Sequence, residues 1–183
     1  IDPLTDRKRL LQHRPRVVAA LERLAEQSNW GDPLPEGRGR GLAVGEVFGS
    51  VVATVVELSA VGDKGIRIDR LVTVVDCGLV TNPTSVKAQM EGGTLFGLSA
   101  ALFNEIEIEQ GQVQQENFHE YRQLRMGEAP SVEVDIVPSA EAPGGVGEAG
   151  TALIGPALVN AVHAAFGDRV RQLPLTRSGY YIV

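Results

Sequence analysis

The stretch Pro143-Gly144-Gly145-Val146-Gly147-Glu148-Ala149-Gly150 sets one carboxylate among four glycines. A backbone this bare can approach a rigid ligand closely while aiming Glu148 into the gap. A general base needs that geometry: short reach, a fixed position and a pocket that tunes its proton affinity. The same residues also suit a tight surface turn carrying an ordinary solvated glutamate, and spacing alone leaves both readings open. Formally, Gly145, Gly147 and Gly150 fit the GxGxxG dinucleotide fingerprint. Context argues against it. Pro138 and Pro143 separate the preceding strand from the first glycine, and Asp168, about twenty positions on, follows a helix instead of ending a second strand.

Other reactive side chains are sparse. Cys77 is the single cysteine, so this chain alone forms no intrachain disulfide, thiolate zinc site or iron–sulfur cluster. It is read as a small buried apolar side chain. The three histidines, His13, His119 and His163, lack ligand spacing. Any metal chemistry must therefore use an ion already chelated by an organic cofactor. With 17 basic and 23 acidic residues, the formal net charge is -6 and no basic stripe exists. That argues against nucleic acid or an anionic membrane surface as partner. No apolar run approaches the length of a bilayer span and no leader is visible. Ile1 in place of Met suggests an internal piece of a longer chain.

The elements that must position Glu148 follow from patterning. Asp2-Pro3 caps a short helix reaching about Gln12. Pro15 opens an amphipathic helix to Ser28, with Val17, Leu21, Leu24 and Ala25 at helical spacing. Trp30-Gly31-Asp32-Pro33 stops it. Gly37–Gly41 reads as flexible, and Leu42–Ala60 as one long β-rich stretch in which Gly45 and Gly49 mark bulges or close approach. Gly62-Asp63-Lys64-Gly65 is a hairpin signal leading into a strand from Ile66 to Val75. Asn82-Pro83 starts a helix running to about Phe103. Its Gly92, Gly93 and Gly97 each cost roughly 1 kcal/mol against alanine, so a helix or a ligand should press on that backbone. A hairpin turning at Gln110-Gly111, a strand Ser131–Val137 and a helix from about Pro156 to Phe166 complete an α+β pattern.

Four groups of residues, in order, carry a resemblance. Gly144 to Leu175 resembles the C-terminal signature of the molybdenum hydroxylases, the xanthine dehydrogenase/aldehyde oxidoreductase family. The Gly-Val-Gly-Glu loop is followed by a Pro-Ala-x-x-Asn-Ala helix (Pro156–Ala161). The Leu-Pro ending is matched, with one shift, by Arg169–Pro174, Arg171-Gln172-Leu173-Pro174 being nearer. Upstream, Val75-Asp76-Cys77-Gly78 with Asn82-Pro83, Gln89-Met90-Glu91-Gly92-Gly93, and the Asn117–Tyr121 strand resemble further family elements. The order fits the branch that includes isoquinoline 1-oxidoreductase large subunits. Ala149 departs from the family's usual proline.

The resemblance implies a mixed-sheet, helix-packed, α+β molybdenum-cofactor-binding domain at residues 37–183, part of a larger subunit, after an N-terminal helical segment and linker at 1–36. It implies Glu148 as the catalytic base. Gln89 and Gly147 become cofactor contacts, although Gln89 also suits a helix-capping or packing role. No residue of this chain is expected to ligate metal. Glu91 is read as satisfying local hydrogen bonds, and His119 as structural or at a subunit contact. The implied cofactor is molybdopterin with molybdenum, as a cytosine dinucleotide, shared with upstream sequence. The implied partners are the upstream half of the subunit, a small subunit carrying 2Fe–2S clusters, and an aromatic or aldehyde substrate. The activity is insertion of water-derived oxygen into a C–H bond of an N-heteroaromatic or an aldehyde. A non-catalytic scaffold of the same fold is the alternative. The isolated piece is expected to be inactive, and its compartment, bacterial cytoplasm or periplasm, stays open.

Overall fold

The computed structural model describes residues 1–183. Strands β1 (Arg38–Val47), β2 (Ser50–Val61) and β3 (Gly65–Asp76) form an antiparallel meander. β6 (Ser131–Ile136) adds in parallel to the outer edge of β3, and the short β7 (Tyr181–Ile182) pairs with the start of that strand. Between β3 and β6 lie helix α3 (Pro83–Leu102) and a small hairpin, β4 (Ile108–Glu109) with β5 (Gln112–Val113). Helices α1 (Pro3–Leu10) and α2 (Pro15–Ser28) precede the sheet, and α4 (Ile154–Phe166) follows it. The architecture is α+β, as expected.

Period-two alternation along β2 separates two cores. Val51, Ala53 and Val55 point to one face, where Val17, Ala20, Leu21 and Leu24 of α2 cover them. Val56 and Leu58 point to the other, under α3 and α4, in a larger cluster with Leu71, Leu98, Leu102, Ile154 and Leu158. Val52 and Val75 belong to a third, smaller cluster with Cys77, Met90 and Ala149. The sheet thus sits between α2 and the α3/α4 pair.

Helix boundaries follow their caps. Asp2 accepts the Thr5 N–H at 2.7 Å, and Asn82 accepts that of Ser85 at 3.0 Å. Asn29 and Gly167 end α2 and α4 in the left-handed conformation.

Three expectations need correction. Residues 42–60 are two strands, not one, joined by a tight turn in which Phe48 (φ 53°) and Gly49 (φ 79°) both take positive φ. That is the primed-turn geometry matching the twist of the flanking strands. The Gly37–Gly41 run is not a flexible lead-in, because β1 begins at Arg38. A Cβ on Gly41 would lie 2.2 Å from the Ala161 nitrogen, so the bare strand lets α4 pack backbone against backbone. Asn117–Tyr121, expected as a strand, holds a 3-10 turn at Phe118–Glu120. Asn117 and Glu120 close it as a capping box.

Candidate functional site

The glycine loop hangs on two strand ends. The Gly145 N–H donates to the Phe48 carbonyl at 2.8 Å, and the Gly144 N–H to the Cys77 carbonyl at 2.9 Å. Ser50 Oγ donates to the Gly145 carbonyl at 2.8 Å, and the Leu79 N–H to that of Glu141 at 2.9 Å. A side chain on Gly144 would meet Ser50 Oγ at 2.4 Å, so the loop lies directly on the β1–β2 turn.

Beyond Glu148 the loop presses on α3. A Cβ on Gly97 would lie 2.5 Å from the Thr151 carbonyl, and one on Gly150 would lie 2.8 Å from that of Met90. Thr151 Oγ1 donates to the Gly93 carbonyl at 3.1 Å. The helical glycines at 93 and 97 thus answer to the loop, whereas Gly92 faces open space. Ala149 is fully buried beside Val52, Val75, Cys77, Val86 and Met90, so its methyl anchors the turn in the small core.

Between these two anchorages the chain exposes Gly147 and Glu148. Gln89, on α3, donates its Nε2 to the Gly147 carbonyl at 3.3 Å. The three residues singled out from sequence therefore come together: Gln89 touches Gly147, and Glu148 is the next residue. Glu148 lines a cavity of about 440 Å³ with Val47, Phe48, Phe96, Thr151 and Ala152. Phe48 and Phe96 are more than half exposed, at 64% and 58%. The site offers one carboxylate against apolar and aromatic walls, flanked by an amide and bare backbone. It can take a proton and seat a rigid polar group.

Cys77 is buried, as expected, and burial raises its thiol pKa, which keeps it an inert apolar side chain. Glu91 and His119 are exposed and stand outside this cavity.

One group that sequence reasoning missed supports the loop. Arg16, on α2, grips Asp76 through Nε at 2.8 Å and Nη2 at 3.0 Å. These bonds hold the Asp76 carboxyl below its ordinary pKa, assisted by the Gly78 N–H at 3.0 Å. Asp76 lies within the Val75-Asp76-Cys77-Gly78 motif, but nothing in the sequence pairs it with a helix sixty residues earlier.

The family described as molybdopterin cofactor-binding domain matches residues 18–130, which include Gln89. The isoquinoline 1-oxidoreductase subunit beta of Brevundimonas diminuta is 36% identical over 179 residues, covering 95% of this chain and 23% of that protein. The membrane-bound aldehyde dehydrogenase (pyrroloquinoline-quinone) of Gluconacetobacter polyoxogenes is 37% identical over 166 residues, covering 87% and 22%. This chain thus spans under a quarter of the length of these relatives. Among solved structures, the reconstituted CO dehydrogenase from Oligotropha carboxidovorans superposes with a TM-score of 0.61 at 25% identity, covering 69% of this chain and 17% of that one. The aldehyde oxidoreductase from Desulfovibrio desulfuricans shares the fold, with a TM-score of 0.60 at 23% identity over 69% and 14%.

Proposed function

The chain belongs to the molybdopterin cofactor-binding domain family, and from that premise we propose that it forms the base-bearing part of a molybdenum hydroxylase. The complete enzyme inserts water-derived oxygen into a C–H bond of an N-heteroaromatic or an aldehyde. The observation that carries this reading is the contact between Gln89 and the Gly147 carbonyl, one residue before an exposed carboxylate in an apolar-walled cavity.

The donor set fits a rigid organic cofactor. Gln89 spends one N–H on Gly147, and its carbonyl oxygen and remaining N–H are free for the polar edge of a pterin or its phosphate side. Gly147 has no side chain to hold a ligand away. Molybdopterin, as a cytosine dinucleotide, would rest on these two residues together with the rest of the subunit. When bound, it supplies the molybdenum centre that accepts two electrons from the substrate. A separate 2Fe–2S subunit carries those electrons away.

This chain's own contribution is position and proton transfer. Glu148 takes a proton, through a carboxylate oxygen, from the water-derived nucleophile as that oxygen attacks the substrate carbon. Phe48, Phe96 and Val47 give that oxygen apolar neighbours. The loop's attachments to two strands and to α3 hold the carboxylate at one distance from the reacting atoms.

The test is Glu148→Gln in the complete subunit, with molybdenum and pterin content measured beside turnover. Lost turnover with full cofactor content supports the reading. Near-normal turnover removes Glu148 from the mechanism, and a wild-type subunit devoid of molybdenum and pterin turns the assignment to a non-catalytic scaffold.

A further inference from the structure

Arg16 lies on the face of the sheet opposite α3, yet its guanidinium reaches both pieces of backbone from which the glycine loop hangs. Nε and Nη2 clamp the Asp76 carboxylate at the end of β3, and Nη2 also donates to the Asp76 carbonyl at 3.1 Å. Nη1 donates to the Gly49 carbonyl at 3.4 Å, in the β1–β2 turn. Asp76 precedes Cys77, whose carbonyl holds Gly144, and Gly49 follows Phe48, whose carbonyl holds Gly145. One planar cation therefore fixes the spacing between the two acceptors that locate consecutive amides of the loop.

We propose that Arg16 is a positioning residue for Glu148, acting through Asp76 and the Phe48-Gly49 turn. Its catalytic consequence rests on Glu148 being the base; its structural consequence does not. Three features favour this over an ordinary ion pair. The Asp76 side chain is only 3% exposed, so its partner cannot be exchanged for water. The arginine donates to four acceptor atoms on two separate segments, a geometry that the single ammonium of lysine cannot reproduce. The held turn is also conformationally demanding. Phe48 sits at φ 53°, a value bulky side chains rarely adopt, and it needs external restraint.

The experiment compares wild type, Arg16→Lys and Glu148→Gln in the complete, cofactor-loaded subunit. It measures hydrogen–deuterium exchange of the peptide spanning residues 143–150 together with kcat and KM. For Arg16→Lys, exchange in that peptide accelerates several-fold while the central residues of β2 keep their protection. The kcat falls by about 10- to 100-fold, the scale on which a carboxylate displaced by an ångström loses rate, and KM changes less. Wild-type exchange in the loop overturns the proposal. So does an unchanged kcat where Glu148→Gln is inactive. Faster loop exchange in a subunit whose Glu148→Gln variant keeps its rate upholds Arg16 as the loop's anchor and removes the base assignment instead. Should Arg16→Lys yield no folded subunit, Asp76→Asn, which preserves side-chain volume, reads the same quantities with the same expected and overturning results.

Discussion

The cavities at the two ends of the central sheet meet carboxylates in opposite ways. At the end bearing the β1–β2 turn, Glu148 stands exposed among Val47, Phe48, Phe96 and Ala152, with no cation against it. At the other end Glu57, Asp69 and Glu133 are each matched. Glu57 is held by Arg40 at 2.8 Å, Asp69 by Arg67 at 2.9 Å and by Ser59, and Glu133 by both arms of Arg70. A cavity lies at that end too, and at about 560 Å³ it is the larger of the two. Size would select it as the site. Chemistry selects the smaller one, because a carboxylate already neutralised by arginine is a poor base, whereas an unpaired one beside apolar walls is free to take a proton.

The sharpest way to break this contrast is to neutralise one carboxylate at each end. Glu148→Gln in the complete subunit should lower kcat by about 10²–10⁴-fold. As an exposed substitution, it should move folding stability by no more than about 0.5 kcal/mol. Glu57→Gln should do the reverse. It leaves Arg40, whose side chain is only 10% exposed, without its counter-charge, at a cost of roughly 3 kcal/mol in urea unfolding, with kcat untouched. If Glu57→Gln abolished turnover at unchanged stability, the ends would have been assigned the wrong way round.

How the sequence announced these ends differs as well. Asn82-Pro83, Asp2-Pro3 and the Gly62–Gly65 turn are local signals, and the helices and hairpin they predict are present. The loop around Glu148 was legible because four glycines about one carboxylate is an unusual local composition. The turn at Phe48-Gly49 was not, because it lies within a valine-rich stretch, and phenylalanine gives no hint of positive φ. Gly49 was the available cue, because glycine supplies the positive φ that two-residue hairpin turns require. What stayed invisible was long-range. Gly41 is bare because α4, 120 positions later, rests on it, and Gly97 because Thr151 does. Arg16 reads as a solvated helical cation until the fold brings Asp76 to it.

A smaller effect separates the ends by pH. The folded form holds the Asp76 carboxyl low through Arg16 and that of Glu133 low through Arg70. Each contributes its stability fully above the unfolded-chain value near pH 4 and loses it as pH falls through the lower folded value. Asp76 is nearly buried and the Glu133 side chain is 49% exposed, so solvent screens the second pair. Asp76→Asn should therefore flatten the acid limb of stability, followed by thermal unfolding between pH 2 and pH 6, more than Glu133→Gln does. Equal flattening would show that the site end is no drier than the far end.

The finest discrimination uses two glycines of α3. Gly97→Ala drives a methyl to 2.5 Å from the Thr151 carbonyl. The overpacking cost of about 1–3 kcal/mol exceeds the roughly 1 kcal/mol of helix propensity gained, so stability should fall, and kcat with it as the loop is pushed outward. Gly92→Ala meets nothing within 4 Å and removes backbone entropy from the unfolded chain. In the isolated chain it should stabilise by about 0.5–1 kcal/mol. The two helical positions lie five residues apart, so opposite signs would locate the pressure on α3 at the Glu148 loop. A loss at Gly92 in the complete subunit, against a gain in the isolated chain, would reveal a second surface resting on the same helix.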